Sequence, residues 1–439
     1  MPKILIVCTG YTSNLLSSIG LAEELKGSGH SIVFAAPKGV AGRIERSGFT
    51  VVSVPPAQCN AFSGYAGRYD FGVPTVAKFI RRRSTGVEAV LSERFGQTLQ
   101  AVKPDLVLSD CEHHSAILQT LATGLPLGLL SFMYFMPSGE SSPPLNSAIV
   151  PGHGLTGSAM AIRLRWIVFH ARWNLKLYFN ILRYWGADFA TVHRALAQRL
   201  GVDLARISEN ESFQAPWSYK LPTLYLLPKE LNLPVTLSDY HVFAGPKSCL
   251  PTTAAKNYSN CDPWIESKAE RKIFVSFGTV RKPPTRYLRS LVKVAQRRPD
   301  WCFLVTALAG KKLSGSELPD NVVAVEWSPQ KQMLEIADCA ICHGGAGTVV
   351  ECLTSRTPVI VVPNGLDGKG NGARVRYHGI GQIGNRNDRA KKIEKTLENV
   401  MSSGRVTDNL GRLNAGASGH EDIADRFVEQ LMQTKSAAE

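Results

Sequence analysis

The sequence predicts an α/β protein made of two Rossmann-like domains, each a doubly wound parallel sheet, that face each other across a cleft. Three observations predict it. Strand-like apolar runs alternate with helix-like segments; the alternation stops in one polar stretch and then restarts; and 439 residues are too many for one ordinary domain. Apolar residues make up 44% and charged residues 20% of the chain, which excludes a disordered or fibrous architecture.

The first half opens with the apolar run Lys3–Cys8. That run is too short for a secretion signal and predicts a buried first strand. Leu15–Lys26 has helical spacing and ends at Gly27-Ser28-Gly29. Further strands are predicted at Ser31–Ala35, Val51–Val54, Leu106–Leu108 and Leu127–Leu130. We expect these elements to form an N-terminal domain over residues 1–235.

A linker is predicted at residues 236–270, where Pro, Ser, Thr and Asn are frequent and no periodicity is sustained. A C-terminal Rossmann-like domain is expected over 271–415, and a terminal helix over 416–439 is expected to pack back on the N-terminal domain. Ligands of such sheets bind beyond the carboxyl ends of the strands. The C-terminal strands are predicted at Ile273–Phe277, Cys302–Thr306, Val322–Val325, Cys339–Cys342 and Val359–Val362.

The chain carries a net charge of +14, and residues 151–200 contribute strongly, with seven Lys or Arg against the single acid Asp188. A basic amphipathic helix is predicted within 162–185. Its apolar stripe either packs on its own domain or lies on an anionic membrane. Nucleic acid is not an expected partner, because no recognisable binding module accompanies the charge. The apolar stripe is Ile162, Trp166, Phe169, Trp173 and Leu177, and the basic stripe is Arg165, Arg172, Lys176 and Arg183.

Cysteine usage and hydropathy predict a cytoplasmic protein. No apolar run reaches the roughly 18–20 residues that span a bilayer. The nine cysteines are an odd number, and several lie in apolar runs, which is typical of reduced core residues. The pair Cys339-x-x-Cys342 lies inside a predicted strand and is interpreted as core rather than as a redox or metal site.

The segment from Trp327 to Asp367 carries the most chemistry. A predicted strand stops at His343, glycines follow, and Thr348 begins a helix that contains Glu351. Exposed N–H groups at a helix N-terminus bind phosphate, and glycine lets the anion approach the backbone. The acid one turn on can accept from ribose hydroxyls, and the indole offers a flat face to a base. Together these residues predict a site for a nucleoside diphosphate.

The motifs Trp327-Ser-Pro-Gln330, His343-Gly-Gly-Ala-Gly-Thr348-Val-Val-Glu351 and Pro363-Asn-Gly-Leu-Asp367 resemble the donor-binding signature of the family 1 glycosyltransferases, the UDP-glycosyltransferases. The resemblance implies a GT-B fold and an inverting, metal-independent transfer from a UDP-sugar or a dTDP-sugar, without a further cofactor. By position, Trp327 would stack on uracil and Gln330 would lie near the ribose. The other donor residues it implies are His343, Gly347 and Thr348 at the diphosphate, Glu351 at the ribose diol, Asp367 at the sugar, and Gly345, Gly278 and Thr279 around them.

Two positions depart from the family pattern. The sugar-binding Asp-Gln pair is Asp367-Gly368 here, so one sugar contact is missing. Asn14 stands where the family carries its catalytic histidine, and an amide has no useful basicity. Asp110 corresponds to the family's orienting aspartate. The predicted catalytic residues are therefore Asn14, Asp110 and His113. The acceptor proton is expected to pass to His113, to the neighbouring His114 or to Asp110 itself. The alternative is an acidic or amine acceptor that needs little activation.

The sequence thus predicts a hexosyltransferase whose N-terminal domain binds a hydrophobic or amphipathic small molecule such as a natural product, terpenoid, sterol or lipid. The apolar segment Leu129–Pro137 and the aromatic stretch 162–185 motivate this acceptor class. Two alternatives stay open: a sugar-nucleotide-binding auxiliary protein without transferase activity, and a nucleotide-sugar epimerase. Expected partners are the donor and the acceptor, with a peripheral membrane contact through 162–185, in a monomer or weak dimer.

Overall fold

Two parallel sheets, one in each half, organise the chain in the computed structural model. It describes residues 1–55, 88, 91–92, 94–134, 139, 141–185, 187–207, 219–247, 259–278, 283–306, 309, 312–313, 318–365, 367–417 and 422–436. The first sheet contains β1 (Lys3–Val7), β2 (Ser31–Ala36), β3 (Thr50–Ser53), β4 (Leu106–Asp110), β5 (Leu127–Ser131), β6 (Thr223–Tyr225) and β7 (His241–Phe243). Its strand order is β3-β2-β1-β4-β5-β6-β7.

The second sheet has six strands in the order β10-β9-β8-β11-β12-β13. In chain order they are β8 (Arg271–Ser276), β9 (Trp301–Thr306), β10 (Val322–Ala324), β11 (Cys339–Cys342), β12 (Val359–Val361) and β13 (Gly381–Ile383). Every strand pairing in both sheets is parallel. The predicted fold class of two parallel α/β domains is confirmed.

Helices cover both faces of each sheet and bury the strands on both sides, which is why most strands are near-continuous apolar runs. In the first half the described helices are α1 (Thr12–Gly27), α2 (Lys38–Arg46), α3 (Arg94–Val102), α4 (His114–Ala122), α5 (Ala159–Arg183), α6 (Phe189–Arg199) and α7 (Leu204–Ile207). In the second half they are α8 (Asp262–Ile265), α9 (Thr285–Arg297), α10 (Gln330–Ile336), α11 (Ala346–Thr354), α12 (Gly368–Tyr377), α13 (Ala390–Met401), α14 (Gly404–Ala417) and α15 (Ile423–Ser436).

The first sheet is longer than the predicted N-terminal domain. Strand β7 pairs with β6, so the sheet extends beyond residue 235 into the range predicted as a linker, and residues 248–258 of that range lie outside the described residues. Strands β6, β7 and β13 have three residues each and were not predicted. Three residues are too few to show a period of two, and the neighbouring strand supplies the pairing that makes them strands.

Helix α15 packs on the first sheet, although it follows the second in sequence. A Cβ at Gly128 of β5 would lie 2.7 Å from Phe427 and 2.8 Å from Leu431, so only glycine allows this approach. His30, which follows α1, lies 2.7 Å from the Asp425 carboxylate. These contacts hold the chain terminus against the first half.

Helix α12 ties the two halves together next to the cleft. Arg374 is fully buried, donates to the side chain of Asn232 at 2.8 Å, and stacks its guanidinium 4.4 Å from the centre of the Tyr134 ring. The Gly370 N–H donates to the Leu145 carbonyl at 2.9 Å. Because Asn232, Tyr134 and Leu145 belong to the first half, these contacts fix the start of α12 relative to the first sheet.

Helix α5 confirms the predicted helix within 162–185. The first residues of the apolar stripe that was named from the sequence face the protein. Ile162 and Trp166 are buried, and the Trp166 indole donates to the Ser142 carbonyl at 2.7 Å. Phe169 and Trp173 are half-buried and stack on each other with ring centres 6.0 Å apart. None of the described helices is long and apolar enough to cross a membrane.

The cysteines that the structure describes are free and buried. Burial raises the pKa of the Cys342 thiol to about 12, so it stays protonated at neutral pH. Within the described ranges no cluster of three His, Cys, Asp or Glu side chains is arranged to hold a metal ion. The Cys339-x-x-Cys342 pair is part of the hydrophobic core of the second domain.

Candidate active site

Strand register brings the predicted site residues together at two sheet edges. In the first sheet Val7 of β1 pairs with Ser109 of β4, so the loops after these strands are neighbours. In the second sheet Cys342 of β11 pairs with Ser276 of β8 in the same way. The first edge therefore holds Asn14 and Asp110, and the second holds Gly278 and His343.

The His343 ring lies between two glycines. A Cβ at Gly278 would lie 2.8 Å from the ring, and one at Gly345 would lie 2.7 Å from its Nε2. Gly278 also has a φ of +72°, in the region that favours glycine. Burial lowers the pKa of His343, while the Asp367 carboxylate raises it. The imidazole is therefore neutral at pH 7, a hydrogen-bond donor without charge.

Helix α11 starts at this ring without a side-chain cap from the described residues. Its first intrahelical bond runs from Val349 N–H to the Gly345 carbonyl at 3.1 Å, so the N–H groups of its first residues have no acceptor inside the helix. A Cβ at Gly347 would meet nothing within 4 Å, so the helix start faces open space. This arrangement can bind a phosphate.

One amide links two polar side chains of this helix. Gln330, the first residue of α10, donates from Nε2 to the Thr348 hydroxyl at 3.2 Å and also to the Glu351 carboxylate. The Thr348 hydroxyl accepts from the amide, so its own hydrogen is free to point at an anion. Burial raises the pKa of Glu351, and the bond from Gln330 lowers it. The carboxylate is placed to accept from hydroxyls.

Trp327 lies just before α10 and is 55% exposed. The loop that carries it is anchored by Ser328, whose hydroxyl donates to the Thr306 hydroxyl at the end of β9 at 3.1 Å. An exposed aromatic ring on an anchored loop is suited to stack on a nucleobase.

Asp367 immediately precedes α12. Asn371, one turn later, donates to the Asp367 carboxylate at 3.2 Å and to the Gly344 carbonyl at 2.8 Å. The loop at Gly344 is also tight, since a Cβ there would lie 2.7 Å from the Gly368 carbonyl. Asn371 therefore fixes Asp367 beside the His343 loop, a role that the sequence reasoning did not find. Thr279, the last predicted donor residue, lies outside the described residues.

Asp110 sits at the end of β4 and is 1% exposed. It accepts from the Thr9 hydroxyl at 2.6 Å, from the Asn14 side-chain amide at 3.2 Å, and from the backbone N–H of Glu112 at 3.0 Å. Burial raises its pKa, and the three donors lower it. The structure thus brings Asn14 and Asp110, both chosen from the sequence, into contact. Both oxygens of the Asp110 carboxylate already accept hydrogen bonds.

Glu112 was not chosen from the sequence. Its backbone is held by Asp110, and its side chain is only partly buried. Burial, followed by the negative charges of Asp110 and Asp367, raises the pKa of Glu112 to about 7. Asp367 belongs to the second half, so part of this pKa shift comes from a charge across the two halves. The sequence signal that could have identified Glu112 is its position, two residues past the end of a central strand.

His113 and His114 turn away from this site. His113 is 4% exposed and packs against Phe95 with ring centres 6.2 Å apart, and burial lowers its pKa to about 4. His114 lies 2.6 Å from the Tyr219 hydroxyl and packs edge-on against His193. Both rings belong to the layer between the first sheet and helices α3, α4 and α6.

The known proteins that this chain resembles include glycosyltransferases. The family model described as "Erythromycin biosynthesis protein CIII-like, C-terminal domain" matches residues 296–426. The oleandomycin glycosyltransferase of Streptomyces antibioticus is 27% identical over 44% of this chain, and the match spans less than half (44%) of that relative. The zeaxanthin glucosyltransferase of Pantoea ananas is 23% identical over 99% of this chain and 97% of its own length.

Among solved structures, the glycosyltransferase VinC in complex with dTDP shares the fold with a TM-score of 0.64. It is 17% identical, and the superposition covers 99% of this chain and 100% of VinC. The residues that the family model matches include His343, Thr348 and Glu351, and the shared fold covers both sheets. Taken with the two parallel α/β domains, these findings show the GT-B fold and indicate that the chain is similar to the family 1 glycosyltransferases.

Proposed function

We propose that the protein transfers a sugar from a nucleoside diphosphate sugar to a hydrophobic or amphipathic small-molecule hydroxyl, with inversion at the anomeric carbon. The observation that carries the proposal is the pairing of two half-sites. A helix start with His343 and Thr348, uncapped by the described side chains, lies in the second half, and Glu112 lies in the first half just after β4, where its N–H and the Asn14 amide both donate to Asp110. The first suits a diphosphate, and the second suits a reacting hydroxyl.

Donor binding assigns one task to each side chain. Trp327 stacks on the base, Glu351 accepts from the ribose, and Asp367 accepts from sugar hydroxyls. The N–H groups at the start of α11, with His343 and Thr348, hold the diphosphate. One relative is named a UDP-glucosyltransferase, and one structural neighbour is a complex with dTDP. We therefore propose a UDP-sugar or a dTDP-sugar as donor, and the choice of base affects only the stacking on Trp327.

The transfer is a single displacement at the anomeric carbon. The acceptor oxygen attacks the anomeric carbon while its proton passes to the Glu112 carboxylate. The bond from that carbon to the phosphate oxygen breaks, and the electron pair leaves with the diphosphate. Helix N–H groups, His343 and Thr348 stabilise the negative charge that develops there, where fixed donors in a closed site are most effective. Asp110 and Asn14 position the loop and the acceptor.

Glu112 takes the role of general base in place of the residues that the sequence predicted for it. His113 is buried behind the sheet, and Asn14 holds no proton. Asp110 accepts three hydrogen bonds and is 1% exposed. Glu112 alone among these four is a partly exposed group whose pKa, about 7, matches the working range of a general base.

The activity is tested by incubating the protein with UDP- and dTDP-sugars and a panel of hydrophobic hydroxylated natural products. We expect one glycoside and one nucleoside diphosphate per turnover, detected by mass spectrometry, and an inverted anomeric centre by NMR. Formation of an epimeric donor without acceptor would favour an epimerase. Donor binding without either product would favour an auxiliary protein.

Metal independence is a separate prediction. Because the start of α11 and its side chains supply the charge stabilisation that a divalent cation gives in other transferases, EDTA should leave turnover unchanged within about twofold. The measurement is the initial rate before and after chelation, with magnesium or manganese added back. A loss that either ion restores would contradict the proposed mechanism.

A further inference from the structure

Helix α5 has a second apolar stripe that faces solvent. Along its length Leu164, Ile167, Leu175, Tyr178 and Leu182 are each between 60% and 74% exposed. Their spacings of three, eight, three and four residues place them on one side of a helix with 3.6 residues per turn. That side is opposite Ile162 and Trp166, which face the protein. At about 1.5 Å per residue the stripe is roughly 27 Å long, and contiguous apolar surface of this kind marks an interaction site.

Positive charge borders this stripe. Arg165, Arg172, Lys176 and Arg183 follow one another at spacings of seven, four and seven residues, which places them along one flank of the stripe. Arg163 lies on the other flank, and α5 contains no Asp or Glu. Lys and Arg on the edge of an apolar helix face extend their charged ends toward a polar boundary while their stems lie on the apolar surface.

A cavity of about 470 Å³ adjoins the start of α5. Three cations line it, Arg165 from α5 and Lys369 and Arg376 from α12, and His153 lies beside them. Lys369 and Arg376 are exposed and stand two turns apart on α12. The rest of the lining comes from residues 146–150 and Thr156, so no acid among the described residues lines the cavity. A cavity with three cations and no carboxylate suits a phosphate monoester or diester.

We propose that the exposed face of α5 docks on an anionic phospholipid membrane, with its apolar stripe at the boundary of headgroups and acyl chains and a lipid phosphate in the adjoining cavity. The positive charge beside the stripe favours an anionic membrane over a second copy of the chain as the occupant of this face. A twofold contact through this stripe would bring two rows of cations together, whereas an anionic surface neutralises them. Tyr178, a ring with a polar end, suits the interface.

The proposal goes beyond sugar transfer and does not depend on it, since it concerns where the protein sits rather than what it catalyses. Its physical consequence is that a water-insoluble acceptor would meet the enzyme at the membrane surface.

The test is co-sedimentation of the full chain with vesicles of equal parts phosphatidylglycerol and phosphatidylcholine, at low salt. We expect binding to these vesicles, much weaker binding to phosphatidylcholine alone, and release near 1 M salt, where the screening length falls to about 3 Å. Failure to bind the anionic vesicles at low salt would overturn the proposal. Equal binding to both vesicle types would do the same.

Two charge-reversal variants separate a specific face from net charge. Arg172→Glu with Lys176→Glu alters α5, and Lys391→Glu with Lys392→Glu makes the same charge change at exposed positions on α13. The α5 pair should weaken partitioning about thirtyfold or more, because each removed cation contributes roughly a factor of five. The α13 pair should change it less than about threefold. Similar losses in both would overturn the proposal as general charge attraction.

A third variant tests the apolar stripe. Ile167→Ser with Leu175→Ser should lower partitioning at least about tenfold while circular dichroism and melting temperature stay unchanged, because both side chains are exposed. Light scattering of the unmodified protein without lipid should show a monomer. A dimer that these substitutions dissociate would assign the stripe to a second copy and overturn the proposal. Stabilisation by inorganic phosphate without vesicle binding would reduce the cavity to an ion site and also overturn it.

Discussion

Glu112→Gln is expected to lower kcat by about 10²–10⁴-fold, the contribution of a general base that is well placed. The substitution keeps the shape and the backbone bond from Glu112 to Asp110 and removes only the group that accepts the proton. The donor should bind as before, because Glu112 does not belong to the diphosphate half of the site. The measurement is kcat and KM for both substrates with a phenolic and an aliphatic acceptor.

The pH profile gives the sharper readout. The base must be ionised to accept a proton, so kcat/KM of the unmodified protein should fall about tenfold per pH unit below the pKa of about 7. In Glu112→Gln this acidic limb should disappear. The raised pKa means that the folded state disfavours the charged carboxylate above pH 7, so the substitution should leave the melting temperature at pH 8 unchanged or higher.

A control and a rescue complete this test. Glu45→Gln makes the same chemical change on an exposed face of α2 and should alter neither rate nor pH profile. Asn14 lies 3.2 Å from the Asp110 carboxylate, so Asn14→His in the Glu112→Gln protein places an imidazole beside a carboxylate. We expect partial recovery of turnover. An active Glu112→Gln protein with an intact acidic limb would contradict the assignment of the base.

His343→Ala is expected to lower kcat by about 10²–10³-fold, which corresponds to about 2.7–4 kcal/mol for one lost donor to a developing negative charge. The ring lies between Gly278 and Gly345 at the start of α11, where the diphosphate is proposed to bind. Affinity for the free nucleoside diphosphate, measured by calorimetry, should fall less than kcat, since the charge is greatest in the transition state.

The pH dependence of this loss tests the protonation state. Burial lowers the pKa of His343, so the neutral ring acts as the donor and the loss should be the same from pH 7 to pH 9. His343→Gln keeps an N–H donor and should retain more activity than His343→Ala. An unchanged turnover in the alanine variant, with both substrates saturating, would remove His343 from the mechanism.

The proposed donor half of the site could be inferred from the sequence because most of its parts are local. A strand that stops at His343, two glycines and a helix that begins near Thr348 lie within one short segment, and phosphate binding at a helix start depends on the backbone of that segment. Gln330 and Glu351 are 21 residues apart on different helices, and the structure joins them directly. The long strands were predictable for the same reason, since a strand buried on both faces is an apolar run.

The proposed base, Glu112, could be chosen only from the tertiary structure. Glu112, His113 and His114 are consecutive, and nothing in their order says which faces the cleft. Glu112 follows the end of β4, where the charges of Asp110 and Asp367 help to raise its pKa, while both histidines pack between the first sheet and helices α3, α4 and α6. The coupling of Glu112 to Asp367 also needs the contacts of Arg374 that fix α12 against the first half.

Sequence periodicity established that 162–185 is a basic amphipathic helix, and the fold decided which of its apolar faces is exposed. Trp166 turns inward because its indole N–H reaches the Ser142 carbonyl, and the stripe of Leu164 and Ile167 is left outward. Short strands such as β7 likewise exist only because a neighbour pairs with them. The sequence by itself therefore determined what depends on near neighbours in the chain. The choice of base, exposed face and sheet edge depends on contacts between distant segments, which only the folded chain creates.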